Sequence, residues 1–329
     1  GMKKIEPAVM TLNLSFQVAG GSSNQFTADL SQMASLMNRR FYRQGLNWAV
    51  GGFKILDTNA NNAQLVVAKL PSTWVFTNAW EKGMRHYVKM IDENTEADEN
   101  IKGRYLDFKI HMDDVHHQSG FSQNLVPFDA SGGTPNTAAD QWIPSDMVVP
   151  FGTNAINFEV IGVGANYPGP GASGLDAVSL VQGYANSRSL PYAEDPSNPV
   201  AGSDASGVTP ENWLQALENE GTTQDSLVVI EAREYDKPPY PYEGDGLNTV
   251  TQYPGGANNL PGLEVHDALQ ITSTTIGGTS YLKGGNFPCG LIRFNAVNFD
   301  PVETATFNVY IDLVPGDHRG YLAEPMTEV

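Results

Sequence analysis

Two segments near opposite ends of the chain alternate apolar and polar residues without a break. In residues 10–18, Met10, Leu12, Leu14, Phe16 and Val18 share one parity, and Thr11, Asn13, Ser15 and Gln17 the other. In Ala305–Leu313 the inward set is Ala305, Phe307, Val309, Ile311 and Leu313, with Thr306, Asn308, Tyr310 and Asp312 outward. Only a pleated strand places every second side chain on one face, so each segment predicts a strand packed on one side. The chain must therefore supply further strands to cover those apolar faces.

Several other stretches read as strands. Residues 26–30 return from the turn at Gly20 and Gly21, and 46–56 sets Ala49, Gly51 and Gly52 between larger residues, the mark of a bulge or a close backbone contact. Residues 64–69, 105–111, 155–163, 227–232, 268–276 and 291–297 complete the set. Helices are expected as a short turn over 31–37, at 77–91 after the start signal Pro71, Ser72 and Thr73, over 175–185, and behind Thr209 and Pro210. Phe76, Trp80, Met84, Tyr87, Val88 and Ile91 form an apolar stripe that predicts packing of the second helix on a sheet. Residues 113–154, 164–173 and 192–208 read as irregular loops, and 237–242 as an extended Pro and Tyr segment.

Gly and Pro total 54 of 329 residues without a fixed period, which excludes collagen-like and solenoid plans and fits a turn-rich β protein. No apolar run approaches the 20 or so residues of a membrane helix. Lys3 and Lys4 run straight into Glu6 and Pro7, without the apolar stretch of a secretory signal. The expectation is an all-β fold: a single jelly-roll-like antiparallel β-sandwich over 1–329, with inserted helices and long insertions around 113–154 and 164–220. A double jelly roll, needing about twice the strands, is the alternative.

The net charge of −18 is unevenly spread. Residues 1–110 carry 13 Lys and Arg against 10 Asp and Glu, whereas 111–329 carry 6 against 27. A chain so acidic does not wrap nucleic acid by neutralising phosphates, and genome contact is left to a small local patch. Arg39, Arg40 and Arg43, three of nine arginines, lie beside Phe41 and Tyr42 and are candidates for a subunit interface or a phosphate contact. Pairing with the chain's own carboxylates is the competing reading.

His111, Asp113, His116 and His117 form the most suggestive polar group, since imidazoles and a carboxylate at such spacing suit a divalent metal. Hydrogen-bonded loop residues are the plainer explanation, and no cofactor is expected beyond that possible ion. Cys289 is the one cysteine, set among Phe287, Leu291 and Ile292, and reads as a small buried hydrophobe. The acidic run after Ile91 has Ala97 and Gly103 where a calcium loop needs Gly and Glu. The spacing of Gly162, Gly164 and Gly169 does not fit a dinucleotide loop, and no nucleophile elbow, phosphate loop or HExxH pattern occurs.

Six strings together resemble capsid proteins of small single-stranded DNA viruses from aquatic environments. They are IEPAVMTLN (5–13), DLSQ (29–32), NRRFYRQGLNWAV (38–50), KLPSTWV (69–75), NAWEK (78–82) and VPGDHRGYLAEPM (314–326). The resemblance implies a jelly-roll coat subunit, located in the virion, whose partners are other copies of itself. It departs from many such proteins in lacking a strongly basic N-terminal arm. The leading expectation is thus a non-enzymatic, self-assembling capsid subunit. The alternative is a jelly-roll enzyme or carbohydrate-binding module centred on residues 111–117.

Overall fold

The computed structural model describes residues 8–38, 40–57, 62–94, 107–128, 142–151, 154–164, 169–187 and 262–327. The chain is all-β in character and forms two compact units. The first contains residues 1–72, 122–142 and 263–326; the second contains 73–121 and 143–262, together with 327–329.

The first unit is an antiparallel sandwich. One sheet joins β1 (Thr11–Val18), β11 (Ala305–Leu313), β3 (Leu46–Asp57) and β9 (Thr279–Phe287) in that order. A short strand β12 (Ala323–Pro325) extends it along the start of β3. The other sheet runs β2 (Ser23–Asp29), β10 (Leu291–Asn298), β4 (Asn62–Lys69) and β8 (Glu264–Thr272). Counting these eight principal strands along the chain, the orders are 1-8-3-6 and 2-7-4-5. That is the jelly-roll arrangement, with the second unit carried on the connection between β4 and β8.

The alternation read from the sequence is what builds this core. Leu12, Leu14, Phe16 and Val18 of β1 and all five odd-numbered residues of β11 are buried. They meet Ala63, Leu65 and Val67 of β4 and Ile292, Phe294 and Ala296 of β10. Phe16 packs on Phe26 at 4.6 Å between ring centres, Phe307 at 5.3 Å and Phe294 at 5.6 Å, so one ring contacts both sheets. Burying each such ring contributes about 2–3 kcal/mol. In β3 the inward parity switches between Val50 and Phe53, across Gly51 and Gly52, where pairing with β11 slips between Asp312 and Leu313. The bulge expected from the small residues is there.

Three differences from the sequence reading have physical causes. β9 was hidden because TSYLKGGNF breaks alternation at Gly284 and Gly285. Gly284 is required: a Cβ there would lie 2.2 Å from the carbonyl oxygen of Val50 on the neighbouring strand. Residues 107–110 do not extend into a strand; only His111 makes a bridge, to Ile161. Within 113–154, which reads as loop, lie α3 (Asp114–Ser119) and β5 (Met147–Phe151). The expected elements at 209–214, 227–232 and 237–242 lie outside the described residues.

The second unit holds a small sheet of β5, β6 (Asn154–Ile161) and β7 (Ala177–Ser179), with β6 and β7 parallel. α2 (Trp74–Asn94) begins behind Thr73, whose Oγ1 accepts the Phe76 N–H at 3.3 Å. Two residues of its stripe, Trp80 and Tyr87, lie against Phe108, which is not in a strand, at 6.1 and 5.2 Å. α4 (Leu180–Ser187) follows β7 directly and packs on α2 at Gly83, where a Cβ would meet Leu180 at 2.6 Å. Among the described residues no helix is long and apolar enough to cross a membrane.

Candidate functional site

The arginine stretch is fixed by a buried carboxylate. Asp29 caps α1 (Leu30–Met37): its Oδ1 accepts the N–H of Ser31 at 2.9 Å and of Gln32 at 3.4 Å. Its Oδ2 accepts from Gln44 Nε2 and Trp142 Nε1, each at 3.1 Å. One side chain thus closes the loop that carries the arginines and ties in a distant tryptophan. Burial raises this carboxyl to about 6, although all four donors work to lower it. Cys289 nearby is fully buried, and burial pushes its thiol well above the ordinary range, with Asp29 adding to the effect.

The loop alternates as a result of those anchors. Tyr42 and Gln44 point inward, while Arg40, Phe41 and Arg43 are exposed. Tyr42 packs on Tyr321 at 5.3 Å and Trp48 at 5.8 Å, and its hydroxyl donates to the Arg319 carbonyl at 2.9 Å. Arg319 in turn donates to the Phe41 carbonyl. Asn38 links three of the distinctive strings: its Oδ1 accepts the Val9 N–H at 3.1 Å and its Nδ2 donates to the Tyr321 hydroxyl at 2.8 Å. Tyr321 closes the triangle by donating to the Val9 carbonyl at 2.5 Å, and burial pushes its hydroxyl up to about 12.

Neither Arg40 nor Arg43 makes an ion pair among the described residues. Arg39 lies outside them. The two described arginines therefore present charge to solvent beside Phe41, which is 48% exposed. Trp48 and Phe53, the neighbouring aromatics, belong to the core.

The histidine group lies in the second unit and is organised around a residue the sequence did not single out. His111, His116 and His117 come together, with His111 5.1 Å from each of the other two rings. Glu159 on β6 points among them: its Oε2 lies 3.0 Å from His117 Nε2 and 3.8 Å from His111 Nε2. The shorter contact is a close approach without hydrogen-bond alignment, since His117 Nε2 has no hydrogen-bond partner. A lone acid between Phe158 and Val160 in an otherwise apolar strand end was the one signal that could have marked Glu159.

Asp113 does not join the group. It caps α3, accepting the His116 N–H at 3.0 Å, while His116 Nδ1 accepts the Met112 N–H at 3.0 Å. Gly171 lets a loop lie directly on His117, because a Cβ there would fall 2.5 Å from Nε2. His111, His117 and Glu159 are each at least 98% buried, so none touches a ligand from solvent in this conformation. Burial holds His111 well below the usual imidazole range, helped by the adjacent His116. Burial works to raise Glu159, but His117 and His111 hold it below its usual range. Among the described residues no group of three or more His, Cys, Asp and Glu is arranged to hold a metal ion.

No protein-family model, curated protein or solved structure matches the chain.

Proposed function

We propose that this chain is a structural subunit that self-assembles into a closed shell, the capsid of a virion, and that it performs no catalysis. The observation that carries the reading is the strand order of the first unit, the double-sheet jelly roll used by viral coat domains. Lectins and cupins share that architecture, so fold alone does not choose between them. Two further observations favour the shell. Three of the strings that resemble coat proteins, at 5–13, 38–50 and 314–326, converge on the Asn38, Val9 and Tyr321 contacts. The loop they support presents exposed arginines at the surface of a chain of net charge −18.

In this reading shell contacts come from turns and rims of the sandwich, and genome contact is weak and confined to patches such as Arg40 and Arg43. Sedimentation velocity of the purified chain at increasing protein concentration and at several ionic strengths tests it. Reversible growth into species of many copies is expected. Persistence of a monomer throughout would overturn it.

A further inference from the structure

The histidine group of the second unit holds more imidazoles than it has charge to balance. His111, His116 and His117 are each at most 1% exposed, and the His111 ring lies 5.1 Å from both of the others. His111 Nδ1 and both ring nitrogens of His117 have no hydrogen-bond partner. Glu159 is the carboxylate that meets them, and Phe121 closes another side with an apolar ring, 4.6 Å from His111 and 5.2 Å from His116. The other charges on the surrounding elements are committed or lie outward. Asp113 caps α3 through the His116 N–H, and Asp107 is ion-paired with Lys109 at 2.6 Å. Asp114 and Asp146 are exposed, and Asp176 is half-buried, its backbone carbonyl accepting the Glu159 N–H at 2.9 Å. An ionised Glu159 therefore balances one proton on the group. A second adds a buried charge without a counter-charge, beside imidazoles that repel it.

One thin segment separates this group from water. Residues 169–174 cross His117, with Gly171 set so close that a Cβ would fall 2.5 Å from Nε2. The Ala172 N–H donates to the His117 carbonyl at 3.2 Å, and Gly174 N–H donates to the Gly171 carbonyl at 2.9 Å. Pro170, Ala172, Ser173 and Gly174 are exposed, so the covering is a single chain thick. Ser173 also favours the ionised Glu159 by hydrogen bonding. Gly169 and Gly174 bound the segment at φ of +95° and +81°, each with open space where a Cβ would stand. Neither end is wedged in place by packing.

We propose that residues 169–174 form an acid-released strap: a second proton on the His111, His116 and His117 group lifts Gly171 off His117 and admits water, while the jelly roll stays folded. The entering water solvates the imidazolium charge that the closed group cannot. Burial and the adjacent His116 hold His111 below 6.5, so the opened chain takes up this proton at a higher pH than the closed one. Closure is therefore complete above about pH 6.5 and is lost as pH falls below it. Glu159, held below 4.5, adds its own loss only at lower pH. The device belongs to the second unit alone and stands whether or not the chain builds a shell.

Hydrogen exchange of the full unaltered chain at pH 7 and pH 5, corrected for intrinsic rates, tests it. The amides of Ala172 and Gly174 should exchange about tenfold or more faster at pH 5, while 11–18 and 305–313 keep their protection. Gly171→Ala, which drives a methyl group onto the imidazole, should open the strap already at pH 7. His111→Gln with His117→Gln leaves one imidazole to one carboxylate and should remove most of the acid effect. A strap in the unaltered chain that exchanges equally at both pH values overturns the proposal. So does a loss of protection shared equally by the sandwich strands, which is acid unfolding of the whole chain. If circular dichroism shows the double variant folded and its strap still responds in full, acid acts elsewhere and the proposal falls. If that variant does not fold, the contrast between strap and strands in the unaltered chain decides.

Discussion

Replacing Asp29 with Asn probes the buried carboxylate that holds the arginine loop. Asparagine keeps the Oδ1 that caps α1, and it is as good a cap as aspartate. Its amide, however, turns a donor toward Gln44 Nε2 and Trp142 Nε1, both of which need an acceptor. Taking the carboxylate acceptor away from two buried donors costs about 1–3 kcal/mol each. Against this, asparagine removes the cost of burying a charge. Burial raises Asp29 from 3.8 to about 6, a difference worth about 3 kcal/mol at alkaline pH. The folded state therefore holds a proton where the unfolded chain has lost it. The stability this group contributes is greatest below about pH 3.8 and falls as pH rises through about 6. The penalty of Asp29→Asn should consequently shrink between pH 5 and pH 8, by about 1.5 kcal/mol. Urea unfolding of both proteins followed by tryptophan fluorescence measures it, and groups common to both cancel in the difference. A penalty that is the same at the two pH values refutes the assignment of a raised, ionising carboxylate to this site.

Three further outcomes follow from the packing. His111 is held below 6.5 and Glu159 below 4.5, so both contribute stability that is present at neutral pH and lost as pH falls. Hydrogen exchange of segments 111–117 and 158–162 should accelerate between pH 7 and pH 5, the window set by His111, after correction for intrinsic rates, and Glu159→Gln should accelerate it already at pH 7; unchanged protection in both would contradict a packed cluster of His111, His117 and Glu159. Gly284→Ala drives a methyl group into the Val50 carbonyl and should cost about 1–3 kcal/mol, with β9 losing amide protection first; a neutral effect in chemical denaturation would show that β9 does not lie so close. Cys289, buried with a raised thiol, should react with a thiol reagent only as fast as the protein unfolds; rapid stoichiometric labelling of the native chain would place it at the surface.

Much of the sandwich was legible because its strands are half-buried. β11 was read to the residue, since every odd-numbered side chain from Ala305 to Leu313 enters the core and every even one faces out. β8 was misplaced, expected over 268–276 but spanning Glu264–Thr272, because an edge strand with exposed Val265 at 65% carries only a weak alternation. β9 could not be read at all, since the glycines that permit its close pairing erase the pattern that would reveal it. At the candidate sites, local signals survived and distant ones did not. The helical turn at 31–37 was legible, but the Asp29 that caps it was not singled out, and its second oxygen serves Gln44 and Trp142, 15 and 113 positions away. The histidine cluster was visible as spacing, but Glu159 reaches it only through the packing of β6, and Asp113 leaves it because a helix start uses that carboxylate locally.

The shell reading meets its most direct test in electron microscopy of the purified full-length chain across a range of ionic strengths. The account predicts closed particles of uniform diameter, or rings that are their building blocks, in at least part of that range. A chain that stays dispersed as single subunits under every condition, at concentrations well above those of ordinary weak association, contradicts it.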